Sequence, residues 1–185
     1  MSAIDRLLKN YSRQVQLPWS PHVSGKQRVW FAVYPPSEER RVRARVPQFE
    51  THTLEAHHGW TTVDLTRVLP EFLAEHKYRD AIFANPLGFR DRAKLETQAA
   101  TLIRDACTRD EADASSVVAV TGLASLFDFM RVSTLIDHVE ESIRGRLLVF
   151  FPGEYSGNVY RFMDARDGFN YMAVPITSTE SFIAS

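Results

Sequence analysis

Three stretches of this sequence are apolar almost without a break and are of strand length: Arg28–Tyr34 (RVWFAVY), Ser116–Val120 (SVVAV) and Leu147–Phe151 (LLVFF). A strand with one wet face alternates apolar and polar residues. These runs do not alternate, so both faces of each must be covered, which is the condition of strands in a parallel sheet with helices above and below. A fourth run, Trp60–Leu65 (WTTVDL), is shorter in apolar content but sits between helical patterns in the same way.

The segments between these runs carry helical spacing. Residues 2–16 place Ile4, Leu7, Leu8, Tyr11 and Val15 on one face behind a capping Ser2. Pro18–Lys26 is a connecting loop. After Pro35-Pro36, Ser37 opens a helix with Val42, Val46, Phe49 and Leu54 near one face. Pro47 lies inside it, which predicts a kink or a break into two pieces, and Gly59 ends it. Helices are expected over about 67–84 and 89–109, separated by Pro86 and Gly88, and again from Gly122 through Ile143, where Leu135, Ile136, Val139 and Ile143 form the apolar face. Pro152-Gly153 is expected to stop the fourth strand. Asp167-Gly168 between Val159–Met163 and Asn170–Ile176 is a hairpin signal, for an antiparallel pair or a strand added at the sheet edge. The expected fold is α/β and three-layered. Its central sheet is largely parallel, of about five strands with flanking helices and a C-terminal antiparallel edge hairpin. One domain is expected over 1–177, with a flexible tail at 178–185.

The 185 residues are 44% hydrophobic and 24% charged with a net charge of −1, which excludes wholesale disorder and a global field toward DNA or membrane. The single cysteine, Cys107, allows no intrachain disulfide and no thiolate zinc cluster. The start, MSAIDRLLKNYSRQ, lacks the apolar core of a signal peptide, and no apolar run approaches the ~20 residues that span a bilayer. The expected compartment is the cytoplasm, without a membrane partner.

Chemistry is sparse at the places where an α/β sheet offers it, the carboxyl ends of the strands. A P-loop needs glycines and Lys-Ser/Thr after a strand, so that backbone N–H groups cradle phosphate. Here the first strand ends in Tyr34-Pro35-Pro36, and proline has no N–H; no G-x-G-x-x-G exists. His52, His57 and His58 are spaced by five and one, not by the four that lets two histidines share an ion on a helix. Asp64 and Glu154 stand at strand ends where magnesium ligands belong, and are the basis for a metal-dependent nuclease or phosphatase. Ser125 follows Gly122-Leu123-Ala124, which is not the G-x-S-x-G nucleophile elbow, and reads as a helix cap. Arg40, Arg41, Arg43 and Arg45 crowd about two helical turns and are the candidate nucleic-acid contacts; Glu38 and Glu39 blunt their field. The block 145–176 is rich in aromatic residues beside Arg161 and Arg166. From it Tyr155, Tyr160, Arg161, Arg166, Phe169 and Tyr171 are the candidate partner contacts. No catalytic residue, metal site or cofactor is assigned.

That block also carries a resemblance. Arg146–Glu154 (RLLVFFPGE), Gly157-Asn158, Tyr160-Arg161, Asp164–Gly168, Asn170-Tyr171 and Val174–Ile176 resemble the C-terminal signature of the BREX protein BrxB family. Arg28–Phe31, Tyr34–Pro36, Glu39–Arg41, His58–Trp60 and Asp64-Leu65 are similar to that family's N-terminal half, and Gly122–Phe127 with Arg131–Ser133 to its central part. The likeness spans about residues 2–177. Phe169 departs from it, standing where a larger aromatic such as tryptophan is expected. The resemblance implies a role in bacteriophage exclusion, by a small component without established catalytic residues. It implies partners too: an alkaline-phosphatase-like PglZ protein, a large ATPase and a DNA methyltransferase. On this reading the chain is a non-catalytic adaptor that binds the PglZ-like protein. The rivals are a nucleic-acid-binding module of the same assembly and a metal-dependent nuclease or phosphatase.

Overall fold

A computed structural model of the chain describes residues 1–85, 89, 91–165 and 168–179. Six strands form one sheet: β1 (Val29–Tyr34), β2 (Gly59–Asp64), β3 (Ser116–Thr121), β4 (Arg146–Ser156), β5 (Val159–Phe162) and β6 (Val174–Ile176). The order is β2-β3-β4-β1-β6, every neighbouring pair parallel, with β5 antiparallel to the far half of β4. The expected α/β class and parallel sheet are therefore present. β1 and β3 are buried along their whole length and β4 over its first eight residues, as their unbroken apolar runs require.

The two faces are covered by different material. Trp30, Ala32 and Tyr34 of β1, Val117 and Ala119 of β3, and Leu148 and Phe150 of β4 face α1 (Ala3–Val15) and α2 (Glu39–Glu55). The alternate residues Val29, Phe31, Val33, Val118, Val120, Leu147, Val149 and Phe151 face the other layer. That layer contains α3 (Val68–Glu75), α4 (Arg79–Ala84), α5 (Arg92–Thr108) and α6 (Val132–Asp137). The chain crosses the sheet from β1 to the β2 edge, then returns through β3 to β4. Crossovers of one hand that run in opposite directions must lie on opposite faces, which is why α2 and α5 do.

On the first face, Ser2 caps α1 reciprocally: its hydroxyl accepts from Asp5 N–H at 3.1 Å and its own N–H donates to the Asp5 carboxylate at 2.9 Å. Phe49 of α2 packs between Tyr11 and Phe150, with ring centroids 5.0 and 4.9 Å away. The Thr53 hydroxyl donates to Phe49 O, so the buried Tyr11 hydroxyl, 2.5 Å from it, is the donor of that pair.

Four expected boundaries differ from those observed. α2 runs through Pro47 without breaking in two; the proline lies on its exposed side. The helix expected over 67–84 stops at Glu75 and restarts at Arg79, because the His76 ring is turned to Asp91 (2.6 Å) and accepts from Tyr78 N–H (3.1 Å). The separators Pro86 and Gly88 lie outside the described residues. From Gly122 to Ile143 there is no single helix but a 3₁₀ turn at Leu123–Leu126, α6, and a second 3₁₀ turn at Glu140–Ser142. The stripe Leu123, Leu126, Met130 would continue onto Ser133 and Thr134. The stripe Val132, Leu135, Ile136 and Val139 is out of register with it, and the helical path is broken after the first 3₁₀ turn at Asp128, whose φ is 67°.

Finally, β4 does not stop at Pro152-Gly153. It gains a new partner there, turning at Gly157-Asn158 into β5; both turn residues have positive φ (57° and 64°), as a two-residue I′ hairpin requires. Of the two forms expected for the segment Asn170–Ile176, the strand added at the sheet edge is present: β6 joins β1 in parallel, and the antiparallel pairing is a single bridge, Tyr160 with Phe169. Of the expected tail, Thr177–Thr179 are bonded to α1 through Asn10 and Ser178 through Arg6, and 180–185 lie outside the described residues.

Two predictions follow from this packing. Phe49→Ala should cost about 3–5 kcal/mol of unfolding free energy, read from urea titration, because a ring enclosed by other rings leaves a cavity that cannot collapse. The second concerns acid. Asp5 is held below the usual carboxylate range by the Ser2 hydroxyl and N–H, Asp91 chiefly by His76, and Asp113 by Ser116 and the Ser115 N–H. Each clamps an element end. Folded values below the unfolded one, about 3.9, add stability that is fully present above that value and lost as pH falls through the folded values. The melting temperature should hold steady down to about pH 5 and fall below about pH 4; Asp113→Asn should melt lower at neutral pH and show a flatter acid limb.

Candidate partner-binding surface

The carboxyl ends of β1, β2 and β3 are occupied by the chain's own side chains. After β1, Pro35 O accepts the Glu38 N–H at 2.9 Å and closes a tight turn, and α2 then begins with Glu39. The Tyr34 hydroxyl donates to the Glu39 carboxylate at 2.5 Å. Burial and that carboxylate both raise the Tyr34 pKa far above its ordinary value, so the phenol stays protonated. The positive end of α2 is thus already met by Glu38 and Glu39. After β2, Asp64 accepts from the Thr66 N–H at 2.9 Å and from the Thr66 hydroxyl, and faces Arg43 at 3.4 Å. Partial burial would raise the Asp64 pKa; the two Thr66 bonds and Arg43 outweigh it and hold the carboxylate low. After β3, Gly122 turns at φ 76°. A Cβ there would stand 2.6 Å from Thr66 N, so only glycine lets the two loops touch. Ser125 Oγ lies 2.7 Å from Gly122 O and 3.2 Å from Leu65 O, a position that ties these loops together instead of presenting a nucleophile.

Metal chemistry finds no cluster: among the described residues no group of three or more His, Cys, Asp or Glu could hold an ion. Glu154 is on the hairpin, 3.9 Å from Arg161, and His52 faces Glu55 at 3.2 Å. His57 adopts φ 61° at the end of α2. His58 stacks on Trp19 with ring centroids 3.7 Å apart, and its Nδ1 lies 2.9 Å from the Ser115 hydroxyl. Cys107 is buried, and burial pushes its thiol up to about 11, far from a reactive thiolate. Among the described residues no helix is long and apolar enough to cross a membrane.

The arginine cluster on α2 is largely neutralised. Arg41 pairs with Glu38 at 3.2 Å, Arg43 with Asp64, and Arg45 with Asp5 at 3.3 Å. Arg40 is exposed and has no carboxylate within 4 Å among the described residues. The pairs splay the side chains toward separate neighbours, so the four cations do not form one stripe.

The aromatic block is divided between core and surface. Tyr160 is fully buried, donates its hydroxyl to Ala173 O at 2.8 Å and lies edge-on to Phe31 at 4.7 Å. Tyr171 is 8% exposed; its hydroxyl lies 3.1 Å from Glu140 and 3.3 Å from Asp137, with Lys26 over its ring. Burial raises both phenols. Phe169 is half-buried against Phe31 and Phe151. Tyr155 is half-buried on Tyr160, bonded to Asn158 at 2.9 Å, and Arg161 is exposed opposite Glu154. Arg166 lies outside the described residues. Within reach of a partner, the structure therefore leaves Tyr155, Arg161 and the outer edge of Phe169.

Two further constellations have no local sequence signal. His76 and Asp91, fifteen positions apart, form an Asp–His contact at 2.6 Å beside a cavity of about 230 Å³. Both ring nitrogens are engaged, Nε2 by Asp91 and Nδ1 by the Tyr78 N–H, so the ring is a staple between α3 and α5 and not a free base. The second is an open groove of about 670 Å³ beside the hairpin, bounded by the 127–134 segment, the start of α5 and Phe162 and Phe169. Its residues are remote in sequence and meet only through the sheet order.

Against known proteins, no curated protein and no solved structure matches the chain. The family model of the BREX protein BrxB matches residues 61–176, from within β2 to the end of β6. That span is more than half of the chain and includes the hairpin, the groove and the parallel core strands β3 and β4. The chain therefore belongs to the BREX protein BrxB family, a component of bacteriophage exclusion.

Proposed function

We propose that the chain is a non-catalytic adaptor of the BREX assembly and that its direct partner is the PglZ-like protein. The observation that carries this reading is the occupation of the strand ends. In open α/β sheets ligands meet the carboxyl ends of the strands. Here Tyr34 is tied to Glu39, and Asp64 to Thr66 and Arg43, while Gly122 admits no group between its loop and Thr66. Groups already bonded to one another would have to give up those bonds to bind a phosphate or a metal.

The hairpin is the contact surface on this reading. It projects beyond the edge of the parallel sheet, since Tyr34 is paired with Pro152 and β4 continues four residues further. It is stiffened from below by Tyr160 and Phe151, so Tyr155 and Arg161 sit on a rigid base, and a rigid aromatic and an arginine are the residue types that dominate interfaces. Three paired arginines on α2 weigh against the nucleic-acid reading, and Asp64 committed to Thr66 weighs against the metal-dependent one.

Co-expression with the PglZ-like protein from the same defence system tests this. The wild-type chain should co-purify. Arg161→Glu combined with Arg166→Glu should lower recovery of the partner by about tenfold; Arg161 is exposed, and Arg161→Glu alone should leave the melting temperature unchanged. Full recovery of the partner by the double variant removes the hairpin from the contact. Magnesium-dependent phosphohydrolase turnover that follows the purified chain and is lost in Asp64→Asn overturns the adaptor reading.

A further inference from the structure

The groove beside the hairpin holds two arginines in places that stability does not favour. Arg92 is the first residue of α5, and Arg131 is the residue that caps α6. The N-terminal end of a helix carries partial positive charge, so a cation there is repelled by its own helix. Both are exposed, and neither guanidinium has a hydrogen bond or a carboxylate within 4 Å among the described residues. Arg41, Arg43, Arg45 and Arg67, by contrast, each face an acid. Two carboxylates share the groove. Glu96 is committed to His138, 3.2 Å away, and Asp128 stands exposed on the rim in the left-handed region, at φ 67°. Among the described residues, two uncommitted cations therefore face one uncommitted acid.

Between the arginines the wall is aromatic. Phe129 is edge-on to Phe89 at 5.8 Å, and Phe169 is braced by Phe151 and Phe31, so both rings are fixed from behind and half-open in front. Fixed rings flanked by arginines suit a side chain that is apolar at its tip with an acid beside it in sequence. The space is a groove open along one side, a shape that admits an extended chain.

We propose that this groove receives an acidic segment of a partner protein, an apolar anchor lying on Phe129 and Phe169 with a flanking carboxylate held by Arg92 and Arg131. This deepens the adaptor reading and rests on it. The charge complementarity selects acidic over basic or neutral segments, and continuity with the hairpin through Phe169 lets one partner engage both surfaces.

The test is fluorescence anisotropy of the full chain with a short fluorescein-labelled peptide of alternating glutamate and phenylalanine, beside the same peptide with glutamine for glutamate. Saturable binding of the glutamate peptide is expected, weakened by at least about tenfold in Arg92→Glu/Arg131→Glu and in Phe129→Ala, and unchanged in Arg40→Glu, with circular dichroism confirming the fold of each. Equal binding of both peptides, or an equal loss in Arg40→Glu, overturns the assignment. Displacement of the peptide by a lower concentration of single-stranded oligonucleotide also overturns it, in favour of a nucleic-acid groove. Co-purification of the PglZ-like protein reads the adaptor proposal separately. A chain that co-purifies but shows no charge-dependent peptide binding sinks the groove alone, whereas peptide binding without co-purification sinks the adaptor alone.

Discussion

Burial of β1, β3 and β4 on both faces is the constraint from which the rest of this structure follows. Each contributes alternate side chains to two separate cores, so the sheet cannot exist without a complete cover on either side. Two helices, α1 and α2, suffice on one face, locked to each other by the Tyr11–Thr53 hydroxyl pair and by Arg45 on Asp5. On the other face the helices α3, α5 and α6 follow β2 and β3, and leave the region over β1 without a helix. Phe31, pointing to that side, is covered instead by Tyr160, Phe169 and Tyr171, folded back from the end of the chain.

That substitution of aromatic side chains for a helix explains the form of the C-terminal third. To bring Tyr160 over Phe31, β4 must continue past the parallel sheet and reverse. Gly153 permits the continuation: a Cβ there would lie 2.1 Å from Arg161 O, so only glycine lets β5 approach so closely. The two tyrosines bring hydroxyls into the core with them, and both are satisfied, one by Ala173 O and the other by the acids Asp137 and Glu140. The result is a hairpin whose inner face is core, with Tyr155 half-buried at its end on Tyr160, and whose outer face, with Glu154 and Arg161, is exposed.

How much of this could be read from the residues depended on the range of the interactions. The unbroken runs RVWFAVY, SVVAV and LLVFF placed the starts of β1, β3 and β4 and the ends of β1 and β3 within about a residue, because double-sided burial leaves a mark on every position; β4 continues five residues past its run. The capping Ser2 and the stripe Ile4, Leu7, Tyr11 and Val15 were equally local. Breaks between 122 and 143 were hidden, since apolar spacing survives a shift of register and the left-handed Asp128 leaves no pattern. The hairpin turn at Gly157-Asn158 was not singled out, because what selects it is the partner strand, a tertiary fact; of the expected turn Asp167-Gly168, Asp167 lies outside the described residues. The candidate contacts mixed core with surface for the same reason. Composition places aromatics near arginines, but only the fold turns Tyr160 and Tyr171 inward and leaves Tyr155 out. His76 with Asp91, and Arg92 with Arg131, had no spacing to betray them.

The division of the chain by chemistry is informative in its own right. On the strand-end side, every polar group that a small ligand could have used is bonded to a neighbour within a few residues or across one loop: Tyr34 to Glu39, Asp64 to Thr66 and Arg43, Ser125 to Gly122 or Leu65. Such short-range pairs stiffen loops and hold helices to strands. Beside the hairpin the opposite holds: exposed arginines stand at helix starts without acids, and aromatic rings are braced behind and open in front. A protein whose polar groups are satisfied in one region and unmatched in another has its unspent interaction energy in the second. The span that matches the BrxB family model takes in the hairpin, the groove and the strand ends after β2 and β3, while the arginines of α2 precede it. On the adaptor reading, the paired strand ends serve to keep the surface of the hairpin and groove in shape.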